Sequence, residues 1–218
     1  MIEAILPAAV AVAEVRDDEA PVDLFPEEEA LVARAVEKRR REFASGRGCA
    51  HRALAQLGIA PGPVGAGERG EPLWPAGVVG TIAHCRGYRG CAVARAADLV
   101  TIAIDAEPHG PLPEGLIGDV ARPEEAGPLA ELARAEPGVH WDRLLFSAKE
   151  AVYKAWYPLT ERWLGFEDAV VTLEPERRSF SARLLVPGPH LDRKRIDGFE
   201  GRWLIEEGLA LTAIAVSR

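Results

Sequence analysis

The stretch Phe146–Pro158 reads FSAKEAVYKAWYP, and the rest of the chain is understood from it. Through Tyr157 it lacks Gly and Pro and is rich in Ala and Lys, a composition that favours a helix. Phe146, Glu150, Tyr153, Lys154 and Tyr157 recur at the three-to-four spacing of one helical face. That face carries a carboxylate, an ammonium and three aromatic rings. Glu150 and Lys154 stand one turn apart, so their side chains address one small volume. Two readings stay open on spacing alone. The two residues are either a solvated pair worth a few tenths of a kcal/mol or the working groups of a site.

Bulk properties narrow the classes. A chain of 218 residues holds one large domain or two small ones. No apolar run reaches the length of a membrane span. The start, MIEAILPAAVAVAEV, has Glu3 where a signal peptide is basic and Pro7 inside the apolar run, so it reads as a strand. Cys49, Cys85 and Cys91 show no metal-like pairing, and reduced thiols in a cytoplasm are the expectation. The net charge of −8 argues against nucleic acid as the main partner. Yet residues 1–104 carry only −2 of it, and they hold the basic run Lys38-Arg39-Arg40-Arg41. A small polyanion has a local seat there.

Along the chain, Pro26–Arg41 reads as a helix with acids first and bases last, burying Leu31, Val32, Ala35, Val36 and Phe43. A second helix, Arg47–Leu57, stops at Gly58. The loop 59–75 follows. In it Gly65, Gly67 and Gly70 around Glu68-Arg69 bring backbone N–H groups within reach of a phosphate, although most such stretches are plain connections. Residues 78–93 read as two short strands, with His84 after Gly80-Thr81-Ile82-Ala83. Leu99–Glu107 (LVTIAIDAE) is the clearest strand. Asp105 and Glu107 share one of its faces about 7 Å apart, and two such acids make a seat for a hard cation that relieves their repulsion. Residues 108–138 are irregular, with a short helix near 128–135. Strands at 166–173 and 180–186, then a hairpin around Gly208, close the chain.

Four pieces in order carry a resemblance: FASGRGCAHRAL from Phe43, GTIAHC from Gly80, IAIDAE from Ile102 and FSAKEAVYKA from Phe146. Together they resemble the 4′-phosphopantetheinyl transferase superfamily, in its Sfp/EntD-like group, from about residue 36 to residue 170. The block Trp141–Ala169 most resembles actinobacterial members that prime polyketide, peptide and fatty-acid synthases. The resemblance implies an α+β fold of two pseudo-twofold-related lobes, each a small antiparallel sheet packed with helices. The active site lies between them. Residues 1–104 would form the lobe that binds the phosphates and adenosine of coenzyme A, and 105–218 the lobe with the metal-binding helix and carrier docking. It implies transfer of the 4′-phosphopantetheine arm of coenzyme A to a serine of an acyl or peptidyl carrier protein, with magnesium (or manganese) and release of 3′,5′-ADP. A single cytoplasmic chain is implied, with no membrane or nucleic-acid partner.

Carried over residue by residue, Asp105, Glu107 and Glu150 match the metal acids. Lys154 matches the lysine beside the reacting phosphates, and Lys149 a basic residue near the pantetheine side. Arg39, Arg47 and His84 match groups that hold the 3′-phosphate and neighbouring oxygens, with Glu68 and Arg69 in the Gly-rich loop. Ala83 stands where many members have Ser or Thr, and Ala66 where close relatives tend to have Lys. On this reading Asp105, Glu150 and Lys154 are the catalytic set, with Glu150 the base for the serine. The ion would join the two lobes and polarise the phosphate. Trp163, Leu164 and Phe166 are candidate carrier contacts, with core packing their alternative. Two rivals remain: a magnesium-dependent phosphodiesterase or nuclease, and a non-catalytic coenzyme A-binding module.

Overall fold

Alternating apolar residues in the first half become a three-stranded antiparallel sheet, and those of the second half a five-stranded one. The computed structural model describes residues 1–16, 22–191 and 194–218. In chain order the elements are β1 (Ala11–Val15), α1 (Pro26–Leu31), α2 (Glu37–Gln56), β2 (Gly65–Ala66), β3 (Pro72–Leu73), β4 (Val78–Cys85), β5 (Tyr88–Arg95) and β6 (Leu99–Pro108). Then follow α3 (Ile117–Val120), α4 (Pro123–Ala135), α5 (Trp141–Thr160), β7 (Ala169–Glu174), β8 (Ser179–Leu184), β9 (His190–Leu191), β10 (Lys194–Arg195), β11 (Gly198–Glu206) and β12 (Leu209–Ser217). The first sheet has the order β1-β5-β4, and the larger one β6-β12-β11-β8-β7. This is the α+β, two-lobed class expected.

The first lobe packs α2 on its sheet. Cys49, Ala50, Ala53 and Leu54 meet Ala11, Val78, Cys91 and Val93 in a closed core. The helix boundaries differ from expectation. Pro26 does start a helix, but it ends at Leu31, and α2 runs unbroken from Glu37 through Gly46 and Gly48. Leu31 and Val36 are exposed rather than buried. Glycine is a poor helix former, yet here it is tolerated because the helix sits tight against its neighbours. A Cβ on Gly48 would come within 3.0 Å of Val22, and one on Gly46 would touch Ile82.

The second lobe is built on α5. Trp141, Leu144, Leu145, Ala148, Val152 and Trp156 form its buried stripe against Phe180, Phe199, Trp203 and Ile214. Trp141 stacks edge-on against Trp203 at 5.7 Å between centroids. The hairpin β11–β12 turns through Glu207 (φ 48°) and Gly208 (φ 74°), both left-handed, as a two-residue turn requires. Helix α4 begins five residues earlier than expected. Pro123 occupies its first turn, and Glu125 caps it by accepting the Arg122 N–H at 2.7 Å. The start of the chain is a 3-10 turn (Ile2–Ile5) followed by β1, and Ile2 and Ile5 pack with Leu209, Leu211 and Ala213.

The seam between the sheets is β4 beside β6, where the Ile104 N–H donates to Thr81 Oγ1 at 3.4 Å. Strand β6 runs unbroken through residues 104 and 105. Its C-terminal half therefore carries the acids along the junction, under α5.

Candidate active site

Asp105 sits on β6 opposite Thr212 of β12 and is buried. Lys154, one turn past Glu150 on α5, reaches it at 2.7 Å and also donates to the Ile104 carbonyl at 3.2 Å. Of the two readings left open by spacing, the solvated Glu150/Lys154 pair does not form. The ammonium crosses the seam to Asp105 Oδ1, and Asp105 Oδ2 is left buried with no partner. A buried carboxylate oxygen without a donor is costly.

Glu107 and Glu150 flank it. Burial first, then the Asp105 charge, raises both their pKa values above the ordinary carboxylate range. Arg143 counters this at Glu107, with Nη1 2.8 Å from Oε2, and Lys154 counters it at Glu150. The three acids thus feel one another through Asp105. They do not stand as a ready-made metal cage: among the described residues, no group of three His, Cys, Asp or Glu side chains forms a set able to hold an ion. Arg143 holds Glu107 Oε2, and Lys154 holds Asp105 Oδ1.

Cations gather on the first-lobe side. His84 is exposed, but crowding around its ring and then the charges of Lys154, Arg39 and Arg89 favour the neutral imidazole. Arg39 is half exposed, 3.8 Å from Glu42. Glu42 also meets Arg89 at 3.5 Å. Arg47 is buried, donating to the Gly65 carbonyl at 2.9 Å and lying 4.5 Å over the Phe43 ring. Burial lowers its pKa, and Glu28, 4.0 Å from its Nε, opposes that. Glu28 itself accepts from His51 at 2.8 Å, the Val64 N–H at 2.9 Å and the Phe25 N–H at 3.1 Å.

Other expected residues are placed less simply. Lys149 is not a free cation. It is buried, with Glu125 at 2.8 Å and the carbonyls of Phe166 and Ala169 at 2.8 and 3.1 Å, and burial lowers its pKa. Glu68 and Arg69 are exposed on the loop between β2 and β3. Arg69 stretches across the seam to lie 5.7 Å from the Trp163 ring centre, a cation–π approach. Ala83 is buried in the core. Leu164 is core as well, and Phe166 stacks on Phe146 at 5.7 Å. Of the three candidate carrier contacts only Trp163 is well exposed, at 64%. All three wall a slot of ≈ 160 Å³ that opens beside Glu150 and Tyr153.

Sequence reasoning missed Arg143, Arg89, Glu125 and Glu28. A signal existed for two of them. Arg143 lies seven residues before Glu150, on the same helical stripe. Arg89 is paired with His84 across the β4–β5 hairpin, a register that the tight turn at Gly87 implies.

The comparisons with known proteins match this frame. Residues 27–94 match the model of the 4′-phosphopantetheinyl transferase N-terminal domain, and residues 101–201 that of the 4′-phosphopantetheinyl transferase superfamily. The chain is 57% identical to 4′-phosphopantetheinyl transferase Svp of Streptomyces mobaraensis, over 100% of this chain and 89% of that one.

The chain belongs to the 4′-phosphopantetheinyl transferase superfamily.

It is also 51% identical to 4′-phosphopantetheinyl transferase Npt of Nocardia iowensis, over 99% of both chains. With 4′-phosphopantetheinyl transferase PptT of Mycobacterium tuberculosis it shares 46% identity, over 99% of this chain and 98% of the relative. Likeness of this degree over whole chains makes it an enzyme of that kind, and the non-catalytic reading falls away. The gap between the two matched regions, residues 95–100, runs from the last residue of β5 into the start of β6. No helix among the described residues is long and apolar enough to cross a membrane.

Proposed function

We propose that this enzyme transfers the phosphopantetheine arm of coenzyme A to a serine of acyl or peptidyl carrier proteins, with magnesium, releasing 3′,5′-ADP. The observation that carries the site reading is Asp105: a buried carboxylate at the seam with one oxygen held by Lys154 and the other unpartnered. Three features fit a hard cation there. The donors are all carboxylate oxygens, the free oxygen faces no protein donor, and the mutual repulsion of Asp105 with Glu107 and Glu150 is what a divalent ion relieves. Asp105, Glu107 and Glu150 would hold it; the ion, when bound, supplies charge neutralisation to the diphosphate.

The rest is done by side chains of this chain. Lys154 sits between Asp105 and Glu150 and neutralises the phosphate oxygens as the bond to 3′,5′-ADP breaks. Glu150 has no hydrogen-bond partner among the described residues and faces the slot. Its raised pKa suits a base that takes the serine proton as the new O–P bond forms. Arg39, Arg47 and His84 steady the remote phosphate. The slot walled by Tyr153, Trp163, Leu164 and Phe166 takes the thin arm, with Lys149 and Glu125 bracing it. Work of this kind is mainly positioning and electrostatics.

One chain supplies both sides of the site, so the reading needs no second subunit. A cytoplasm, where coenzyme A and carrier proteins meet, is the setting it implies, and polyketide, peptide and fatty-acid synthases are the carriers to try first. The test is mass spectrometry of an apo carrier protein incubated with the enzyme, coenzyme A and magnesium. Gain of one phosphopantetheine arm, lost when the metal is chelated, is the expected result. An arm transferred equally well without metal overturns the metal reading, and plasmid cleavage without transfer overturns the whole.

A further inference from the structure

The helical stripe that bears Glu150 and Lys154 begins two turns earlier, at Arg143. Its side chain is 16% exposed, and all three of its bonds go to one short segment. Nη1 donates to Glu107 Oε2 at 2.8 Å, Nε to the Gly110 carbonyl at 3.2 Å and Nη2 to the Pro111 carbonyl at 2.7 Å. Two neighbours fasten the same segment. Asp142 Oδ2 accepts the Leu112 N–H at 2.8 Å, and His109 Nε2 accepts the His140 N–H at 3.1 Å. Residues 107–112 are thereby tied to the first turn of α5 at five points.

Glu107 and Pro108 end β6, where they pair with Ala210 and Leu209 of β12. Residues 109–112 beyond them have no strand or helix, and the ladder fixes the Glu107 backbone but not where its carboxylate points. A lone ion pair near the surface contributes little to stability. A planar guanidinium that grips one carboxylate and two carbonyls does something else: it sets direction, which a lysine's single point charge does not. The same helix that carries Glu150 and Lys154 thus dictates where the Glu107 carboxylate lies.

We infer that Arg143 is a positioning residue for the transfer reaction, holding Glu107 and the 107–112 segment in register with Glu150 and Lys154 on α5. The inference rests on the reading of Asp105, Glu107 and Glu150 as the acids for the ion. It assigns Arg143 no contact with substrate.

The experiment uses the full chain and its variants Arg143→Gln and Arg143→Lys. Manganese is titrated by electron paramagnetic resonance with coenzyme A present and no carrier, so no turnover occurs. Steady-state transfer is measured alongside. Partners that orient metal ligands typically matter about 10–100-fold, so Arg143→Gln is expected to weaken manganese binding and lower kcat by about that factor. The KM for coenzyme A stays within about twofold, because remote binding groups are untouched. Arg143→Lys falls between, and it carries the test should the Gln variant fail to fold. In a Glu107→Gln background, Arg143→Gln adds no further loss, since both act through one carboxylate. A folded Arg143→Gln enzyme with parental manganese affinity and kcat overturns the inference, and so does full additivity in the double variant. Failure of the parent itself to bind manganese has a different meaning: it removes the three-acid reading, and this inference with it.

Discussion

Glu28 and Asp105 are both buried carboxylates, and the fold treats them in opposite ways. Glu28 lies in α1 of the first lobe with no exposed surface. Its oxygens accept from two backbone N–H groups and His51, with Arg47 at 4.0 Å. Asp105 lies at the seam, held on one oxygen only. Glu125 behaves like Glu28, satisfied by Lys149 and the N–H groups of Arg122 and Val171. The lesson is physical. A carboxylate buried for structure has its acceptor sites filled by the chain, because an unfilled one costs free energy. Under the reading proposed above, Asp105 is a carboxylate buried for chemistry, with one acceptor site open to the ion. Burial first, then the Asp105 charge, raises the pKa values of Glu107 and Glu150 beside it.

The contrast breaks most visibly in activity. Glu150→Gln should lower kcat by about 10²–10⁴-fold, the range for loss of a general base, while the fold survives. Near-parental kcat in mass-spectrometric transfer assays would return Glu150 to the surface. Glu28→Ala should do the reverse. Removing one member of a buried charged network costs about 3–5 kcal/mol, read as a lowered midpoint in urea. Its effect on transfer should come through a raised KM for coenzyme A, by way of Arg47. Unchanged stability would show that the four partners of Glu28 are dispensable.

A smaller effect sharpens the comparison by its sign. The folded pKa of Glu150 lies above the ordinary value of 4.5, so the folded protein binds this proton more tightly than the unfolded chain. Stability therefore falls as pH rises through the window above 4.5. Glu150→Gln removes that penalty. Its melting temperature should exceed the parent's at pH 7 by a few degrees and equal it at pH 4, by calorimetry without metal. A variant less stable at pH 7 would mean that Glu150 has a partner to lose. The smallest effect concerns the slot wall. Trp163→Ala should raise the KM for coenzyme A by about 3–10-fold, the scale of losing part of one aromatic contact, and leave the KM for the carrier alone. The opposite split would make Trp163 a docking residue.

Much of the succession of strands along the chain, and the placing of Asp105 and Glu107 at the end of one of them, was legible in the sequence. The alternation in Leu99–Glu107 and the turn at Gly208 are local signals, and both appear as read. The stripe on α5 was legible too, since helical spacing is a property of the chain alone. Three things were not. Gly46 and Gly48 suppress helix propensity, yet α2 passes through them because they let it approach Val22 and Ile82, a tertiary gain that no local scale contains. Lys149 looked like a spare cation, but its partner Glu125 is 24 positions away in a segment whose helix began earlier than its composition indicates. And helical spacing alone left open a Lys154 pair with Glu150 one turn back, whereas the anion it meets is Asp105 across the seam. Ion-pair choice inside a fold follows distance and burial, and spacing along one helix decides it only when nothing else is close.

The most direct measurement of the central claim is anomalous diffraction from crystals grown with manganese and coenzyme A. The account predicts one strong peak within bonding distance of Asp105 Oδ2, shared with the carboxylates of Glu107 and Glu150 and with the coenzyme's diphosphate. A diphosphate bound with no ion beside it, or a peak elsewhere that leaves Asp105 Oδ2 still unpartnered, would contradict it.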